Sequence, residues 1–329
     1  MMAVKSPFLC NRFINVQNIY KHKQGKRGYD RKAVVCDVFS QFNIFQLEMV
    51  FMYEAVESVV QMALNKKKYL EESLLRYVTK AVLASMFIGF AIIICYRLAE
   101  PFFDAKSPVT SFMASIFFGA ALVLIMFGGG ELFTGNTMMM TMSTVKKATT
   151  WKDALTNWVA TYAGNLMGAA IFALFIHYSG LYADSDNSQF LMSVVGGKIS
   201  LTTAQMFFRS ILCNWLVCLG FWVPINVKGD GAKIASMMLL VFGFVISGYE
   251  HSIANMVLFA LALAAPHPDT ITLVGILHNL GVVTLGNMIG GGVFVGAMYA
   301  FLTSKKKEKV PVAVVDTHTV SPFSAEKIK

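Results

Sequence analysis

The stretch Ser247-Gly248-Tyr249-Glu250-His251-Ser252-Ile253-Ala254-Asn255 interrupts a long apolar segment, because residues 234–249 and 252–265 carry no charged side chain. A charged group at the centre of a bilayer costs about 2.5–3.5 kcal/mol on insertion scales, so such groups usually face a protein interior or a pathway. The stretch therefore predicts a broken membrane helix that lines a pathway. The alternative is a capped helix break that only holds the fold together.

The composition of the whole chain agrees with a membrane protein. Of its 329 residues, 56% are hydrophobic and only 14% are charged, which is typical of a helical protein with several membrane spans. The apolar runs are long and continuous, whereas the strands of a membrane barrel alternate over about ten residues. The five cysteines show no metal or disulfide spacing, so we expect no metal and no cofactor.

Four regions follow from the order of charged and apolar segments. The first is basic and expected to be disordered, with a later start at Met49 or Met52 as an alternative. The second is an amphipathic helix, with Val56, Val59, Val60 and Ala63 at helical spacing, that we expect on the cytoplasmic membrane face. A transport region of six spans and a cytoplasmic tail complete the chain. The predicted boundaries are 1–45, 46–72, 73–304 and 305–329.

The six spans are predicted near residues 77–96, 108–145, 154–178, 209–227, 232–265 and 271–303. The second is too long for one crossing at a rise of about 1.5 Å per residue. It contains Gly128-Gly129-Gly130-Glu131, which predicts a second break. Lysine and arginine are concentrated in alternate loops and at both termini, so the positive-inside rule places both termini in the cytoplasm of a multi-pass plasma-membrane protein.

Two features recur at nearly one offset. Gly164-Asn165-Leu166-Met167-Gly168 is echoed 122 residues later by Gly286-Asn287-Met288-Ile289-Gly290, and Glu131 and Glu250 at the two breaks lie 119 residues apart. A duplicated three-span unit must be inverted in the membrane, and broken helices at corresponding positions point to a transport pathway. We expect Asn165, Asn287 and Asn255 to support the breaks, and Glu131 and Glu250 to accept hydrogen bonds from backbone N–H groups there.

These motifs together resemble those of the formate/nitrite transporter family over residues 55–304. The resemblance is carried by Glu131-Leu132-Phe133-Thr134-Gly135-Asn136, by Cys213-Asn214-Trp215-Leu216-Val217-Cys218, by Gly248 to Met256 and by Thr284-Leu285-Gly286-Asn287. The nitrite channels of that family are the most similar branch. The cues for that branch are Phe207-Phe208-Arg209, Leu258-Phe259-Ala260-Leu261 and His278-Asn279-Leu280.

The resemblance implies an all-α membrane protein whose six-helix protomer is similar to an aquaporin, with two inverted three-helix repeats, broken helices 2 and 5, and one pore in each protomer of a homopentamer. It implies that the substrate pathway contains a central histidine, His251, with Thr134, Asn214 and Lys198. The implied outer constriction is Phe118, Val217 and Phe244, and the implied inner constriction is Leu122 and Leu132.

The implied function is the passage of nitrite, with formate as the nearest alternative substrate, linked to protons at His251. Whether His251 donates its proton or only a hydrogen bond stays open. A channel for water or neutral solutes is the competing function. We do not expect an enzyme, because adjacent Glu250 and His251 cannot form the HExxH zinc arrangement, and we expect no nucleic-acid partner.

Overall fold

The computed structural model of the protein describes residues 44–184 and 188–304, and every regular element within them is a helix. The all-α prediction is therefore confirmed for the described chain. The predicted basic extension, apart from its last two residues, and the predicted tail lie outside the described residues.

The first helix, α1, runs from Ile44 to Glu72 and places an apolar stripe against the rest of the protein. The buried members of this stripe are Ala55, Val56, Val59, Val60 and Ala63. Helix α2 follows from Leu74 to Asp104 and is longer than the predicted span 77–96. In the part beyond residue 96, Glu100 is buried, and its carboxylate accepts a hydrogen bond from the Phe190 N–H at 3.1 Å.

The predicted second span is broken, as its glycine run indicates. It consists of α3 (Thr110–Met113), α4 (Ala120–Gly128) and α5 (Phe133–Val145). Gly129 ends α4 with φ +77°, a left-handed conformation that glycine adopts at little cost. A chain that leaves α4 in this way can restart as α5 in a new direction at Phe133.

Five more helices follow in the chain. They are α6 (Trp151–Tyr178), α7 (Gln189–Ile199), α8 (Thr203–Asn226), α9 (Asp230–Ile246) and α10 (Ser252–Ala264). Helix α8 begins six residues before the predicted start at Arg209. The reason is a capping box in which Thr202 and Gln205 exchange side-chain and backbone hydrogen bonds, so the polar residues ahead of the apolar run are also helical. Gly248, with φ +67°, separates α9 from α10.

The last long element is α11 (Leu273–Gly291), continued by a π-helical segment (Gly292–Ala297) and α12 (Met298–Leu302). Helix α11 packs tightly on α8, and α6 packs tightly on α2. At Gly290 the backbone of α8 comes so near that a Cβ would overlap the Ile211 carbonyl oxygen, and a Cβ at Gly168 would overlap that of Val82. The glycines of both repeated motifs are therefore required for helix packing.

By length and composition, α2, α6, α8 and the continuous helix from Leu273 to Leu302 can each cross a membrane. The pieces α4, α5, α9 and α10 have 9, 13, 17 and 13 residues, whereas a single crossing needs about 20. Each of these pieces is thus shorter than a typical span, and the four long apolar helices make the chain a multi-pass membrane protein.

Candidate functional site

His251 is the N-cap residue immediately before α10, and both of its ring nitrogens have partners. Nδ1 accepts a hydrogen bond from the Ala254 N–H at 3.0 Å, and Nε2 lies 3.0 Å from the Thr134 hydroxyl oxygen. Because a backbone N–H can only donate, Nδ1 carries no proton, and the neutral ring holds its proton on Nε2. His251 thus offers one N–H toward Thr134 from a position that is 4% exposed.

A narrow cavity lies beside His251 and brings together all five predicted constriction residues. Among the described residues that line it, His251 alone has a polar side chain. The Phe244 ring stacks on the imidazole with centroids 5.9 Å apart. The Phe118 and Phe244 rings are nearly perpendicular, with centroids 6.0 Å apart. The apolar lining residues are Ile88, Phe118, Ala121, Leu122, Ile125, Leu132, Val217, Val241 and Phe244.

Asn214 does not line this cavity, although it was predicted to belong to the substrate pathway. Its amide nitrogen lies 3.1 Å from the Thr134 carbonyl oxygen, 3.0 Å from the Thr137 hydroxyl and 2.7 Å from the Asn287 carbonyl oxygen. It therefore ties the first turn of α5 to α11. In this arrangement Asn214 positions Thr134, which in turn contacts His251.

Lys198, which was predicted to attract substrate, is held in a buried ion pair. Its Nζ lies 2.9 Å from Glu250 Oε1, and the two side chains are 16% and 3% exposed. The second carboxylate oxygen accepts from the Asn255 amide at 2.7 Å. The charge of Lys198 is therefore largely cancelled by its neighbour rather than presented to solvent.

Glu131 occupies the corresponding place at the other break. Its carboxylate forms ion pairs with Lys66 and, at 3.4 Å, with Lys80. The Tyr77 hydroxyl and the Asn136 amide also donate to it, at 3.1 and 3.3 Å.

In the described chain, the donors to Glu131 and Glu250 are all side chains, so the prediction that these carboxylates accept from backbone N–H groups is wrong. The N–H groups that open the two half-helices, those of Phe133 and Ser252, are bound instead by asparagines. The acids are consequently left to pair with cations.

Those asparagines are Asn165 and Asn287, and each makes the same three bonds at its own break. Each amide oxygen accepts from the N–H two residues after the acid, and each amide nitrogen donates to the carbonyl of the acid and to a carbonyl of a neighbouring helix. For Asn165 the partners are Phe133, Glu131 and Ala81, at 3.0, 3.0 and 2.7 Å. For Asn287 they are Ser252, Glu250 and Ser210, at 2.8, 3.0 and 2.8 Å.

Helix α1 is tied to the helices that follow it by two neighbouring lysines. Lys66 pairs with Glu131, and Lys67 lies 3.0 Å from Asp153 at the start of α6. The hydrogen bond with Asp153 raises the pKa of Lys67, against a smaller opposing effect of desolvation. The basic run after the amphipathic stripe is thus partly engaged with the protein.

Several residues of the site were missed by sequence reasoning. Lys66, Lys80 and Tyr77 gave no signal. A charge run such as the one that contains Lys66 is usually solvated, and Tyr77 and Lys80 stand singly near the start of a predicted span. Ile125 and Val241 did have a sequence signal. Ile125 lies 119 residues before Phe244, and Val241 lies 119 residues after Leu122, which is the spacing between Glu131 and Glu250. Applying that repeat to the predicted constriction would have identified both.

Comparison with known proteins agrees with this geometry. Residues 53–301 match the family described as formate/nitrite transporter. The chain is 47% identical to the uncharacterized transporter YwcJ of Bacillus subtilis, over 75% of this chain and 96% of that protein. It is 35% identical to the nitrite transporter NirC of Salmonella typhimurium, over 71% of this chain and 86% of that protein.

Two solved structures are also similar. One, described as an FNT family ion channel, has a TM-score of 0.72 and 33% identity, covering 76% of this chain and 99% of that one. The other, a pentameric formate channel with formate bound, has a TM-score of 0.60 and 28% identity, covering 71% and 99%. With broken helices, an apolar cavity and a family match over most of its length, the chain belongs to the formate/nitrite transporter family.

Proposed function

We propose that the chain passes small monovalent anions across the membrane through the cavity beside His251, with nitrite as the first substrate and formate as the nearest alternative. The observation that carries this proposal is an apolar cavity lined by Phe118, Leu122, Leu132, Val217 and Phe244. Among the described residues that line it, the one polar side chain is a histidine with its N–H on Nε2. The similarity to the nitrite transporter NirC and to a formate channel supports both substrates.

The architecture we propose is an inverted repeat of two three-helix units. Three pairs of cavity residues support it, each separated by 119 residues: Leu122 with Val241, Ile125 with Phe244, and Leu132 with His251. The matched bonds of Asn165 and Asn287 support it as well. We further propose that both termini are cytoplasmic and that five protomers assemble, the latter on the similarity to a pentameric channel.

The apolar residues of the two proposed constrictions explain why transport would depend on protons. An anion that leaves water for such a cavity loses a large hydration free energy, whereas the neutral acid loses a much smaller one. Protonation of the anion therefore lowers the free-energy barrier to entering the cavity. The Nε2–H of His251 then donates a hydrogen bond to the substrate between the two constrictions, in place of its bond with Thr134.

The geometry favours a hydrogen bond over a full proton transfer from His251. An imidazolium would need a proton on Nδ1, which would break the bond from the Ala254 N–H. It would also place a positive charge at the N-terminus of α10, where the helix dipole is already positive. We therefore propose that the substrate takes its proton from water at the mouth of the pathway.

Flux into proteoliposomes tests this proposal through three variants. His251→Phe removes the N–H donor, His251→Gln keeps an N–H donor that does not titrate, and His278→Gln changes an exposed histidine bonded to Thr203 outside the cavity. We expect His251→Phe to lose most nitrite flux, while His251→Gln retains flux that still rises from pH 7.5 to pH 5. His278→Gln is expected to match the wild type.

If His251→Gln conducts nitrite but its flux no longer depends on pH, the histidine itself transfers the proton, and the hydrogen-bond role is wrong. If His251→Phe conducts as well as the wild type, the cavity beside His251 is not the pathway.

A further inference from the structure

Each helix break is surrounded by two cations and one acid. We call the cluster of Lys198, Arg209 and Glu250 the Glu250 mouth, and the cluster of Lys66, Lys80 and Glu131 the Glu131 mouth. Each mouth has a formal net charge of one positive unit. An approaching anion is attracted mainly by the cation whose charge the acid does not neutralise.

In the Glu250 mouth the excess charge belongs to Arg209. Lys198 and Glu250 are 2.9 Å apart and cancel one another. Arg209 instead donates through one guanidinium nitrogen to the Gly248 carbonyl oxygen at 3.4 Å, and in the described part of the chain it has no carboxylate within 4.0 Å. The Arg209 side chain is partly exposed, and Gly248 lies in the break loop three residues before His251.

Arg209 has a counterpart in the other half of the chain. Lys80 lies 129 residues earlier, and its carbonyl accepts from the Glu131 N–H at 3.0 Å, as the Arg209 carbonyl accepts from the Glu250 N–H at 3.4 Å. The nearest atom to a Cβ built on Gly129 belongs to Lys80, and for Gly248 it belongs to Arg209. The same backbone position therefore places a cation at both breaks.

We propose that Arg209 is the cation that draws the anion into the Glu250 mouth. Its counterpart Lys80 lies 3.4 Å from the Glu131 carboxylate and is itself ion-paired, so the proposal concerns Arg209 alone. This inference rests on the proposed anion transport. A cation bonded to a neutral carbonyl keeps its long-range field, whereas a close ion pair has little field beyond its immediate surroundings. Lys198 then acts as a positioning residue that holds Glu250 and the break in place.

The test compares nitrite influx kinetics for Arg209→Gln and for Arg97→Gln, which removes one charge from an exposed side chain elsewhere. We expect Arg209→Gln to raise the KM for nitrite about three- to tenfold in dilute buffer, as one charge several ångströms from the anion would. The maximal rate is expected to stay near the wild-type value. Because salt screens such attraction, the difference should shrink at high salt, on the order of 0.5 M. Arg97→Gln should leave the KM unchanged.

Two further variants separate attraction from a structural role. Arg209→Lys keeps the charge without the guanidinium fork and should restore both the KM and its salt dependence. The pair Lys198→Met with Glu250→Gln removes two opposite charges and should leave the salt dependence intact. The proposal is overturned if the paired variant loses the salt dependence while Arg209→Gln retains it, or if Arg209→Gln lowers only the maximal rate. Absence of nitrite flux in the wild type would instead reject the proposed function.

Discussion

At the scale of single residues, one buried amide satisfies three backbone groups at each helix break. Replacing Asn287 by Leu would leave the Ser252 N–H and the Glu250 carbonyl without their partner, at a cost of about 1–3 kcal/mol for each buried group. Asn226→Leu is the matched control, because within the described chain that side chain bonds only to the Trp222 carbonyl in its own helix. We expect thermal unfolding, followed by tryptophan fluorescence in detergent, to shift clearly downward for Asn287→Leu and little for the control. Equal shifts would contradict the supporting role of Asn287.

Single residues also show where the sequence stops being informative. The polar residues at the breaks could be picked out because each stands in an apolar run. Their partners could not, because Lys66 is 65 residues before Glu131 and Lys198 is 52 before Glu250. Only the folded chain brings a lysine of α1 to a break between α4 and α5. The internal partners of Lys198 and Asn214 could not be predicted for the same reason, and their predicted roles toward the substrate stay predictions.

At the scale of helices, close packing at the repeated glycines gives a direct test. A methyl group at Gly290 would overlap the Ile211 carbonyl, whereas one at Gly197 in α7 would meet nothing within 4 Å. We expect Gly290→Ala to destabilise the protein by about 1–3 kcal/mol, because overpacking forces the backbones apart. Gly197→Ala should be neutral or stabilising by up to about 1 kcal/mol, since alanine favours helix. Chemical denaturation of both variants checks this, and a stable Gly290→Ala protein would show that α8 and α11 can separate freely.

The positions of the two helix breaks were the features best predicted from the sequence. The glycine run before Glu131 and Gly248 before Glu250 both predict breaks, and both have left-handed glycines there. The start of α8 was misplaced because a capping box extends a helix beyond its apolar run. The π-helical segment from Gly292 to Ala297 had no sequence signal, since its form depends on the contact of these glycines with α5.

At the scale of the whole molecule, the proposed pathway lies within one protomer, so the number of protomers is a separate question. Many large apolar side chains face outward, including Leu155, Val159 and Phe175 on α6, and these can contact lipid or a neighbouring copy. We expect native mass spectrometry from a mild detergent to give five copies of the chain. A monomer or a tetramer as the dominant species would contradict the proposed pentamer and leave the pathway within one protomer unaffected.

The most direct measurement compares the permeability of the same proteoliposomes to nitrite, formate and water at external pH 5 and pH 7.5. We expect nitrite to enter faster than formate, uptake of both to rise at pH 5, and water permeability to stay near that of empty vesicles. The proposed pathway beside His251 gives the reason. Its apolar lining would favour a small acid that carries its proton, and among the described residues that line it His251 alone could form a hydrogen bond with water through its side chain. Movement of water or neutral solutes with neither anion crossing would contradict anion transport and favour a channel for neutral solutes.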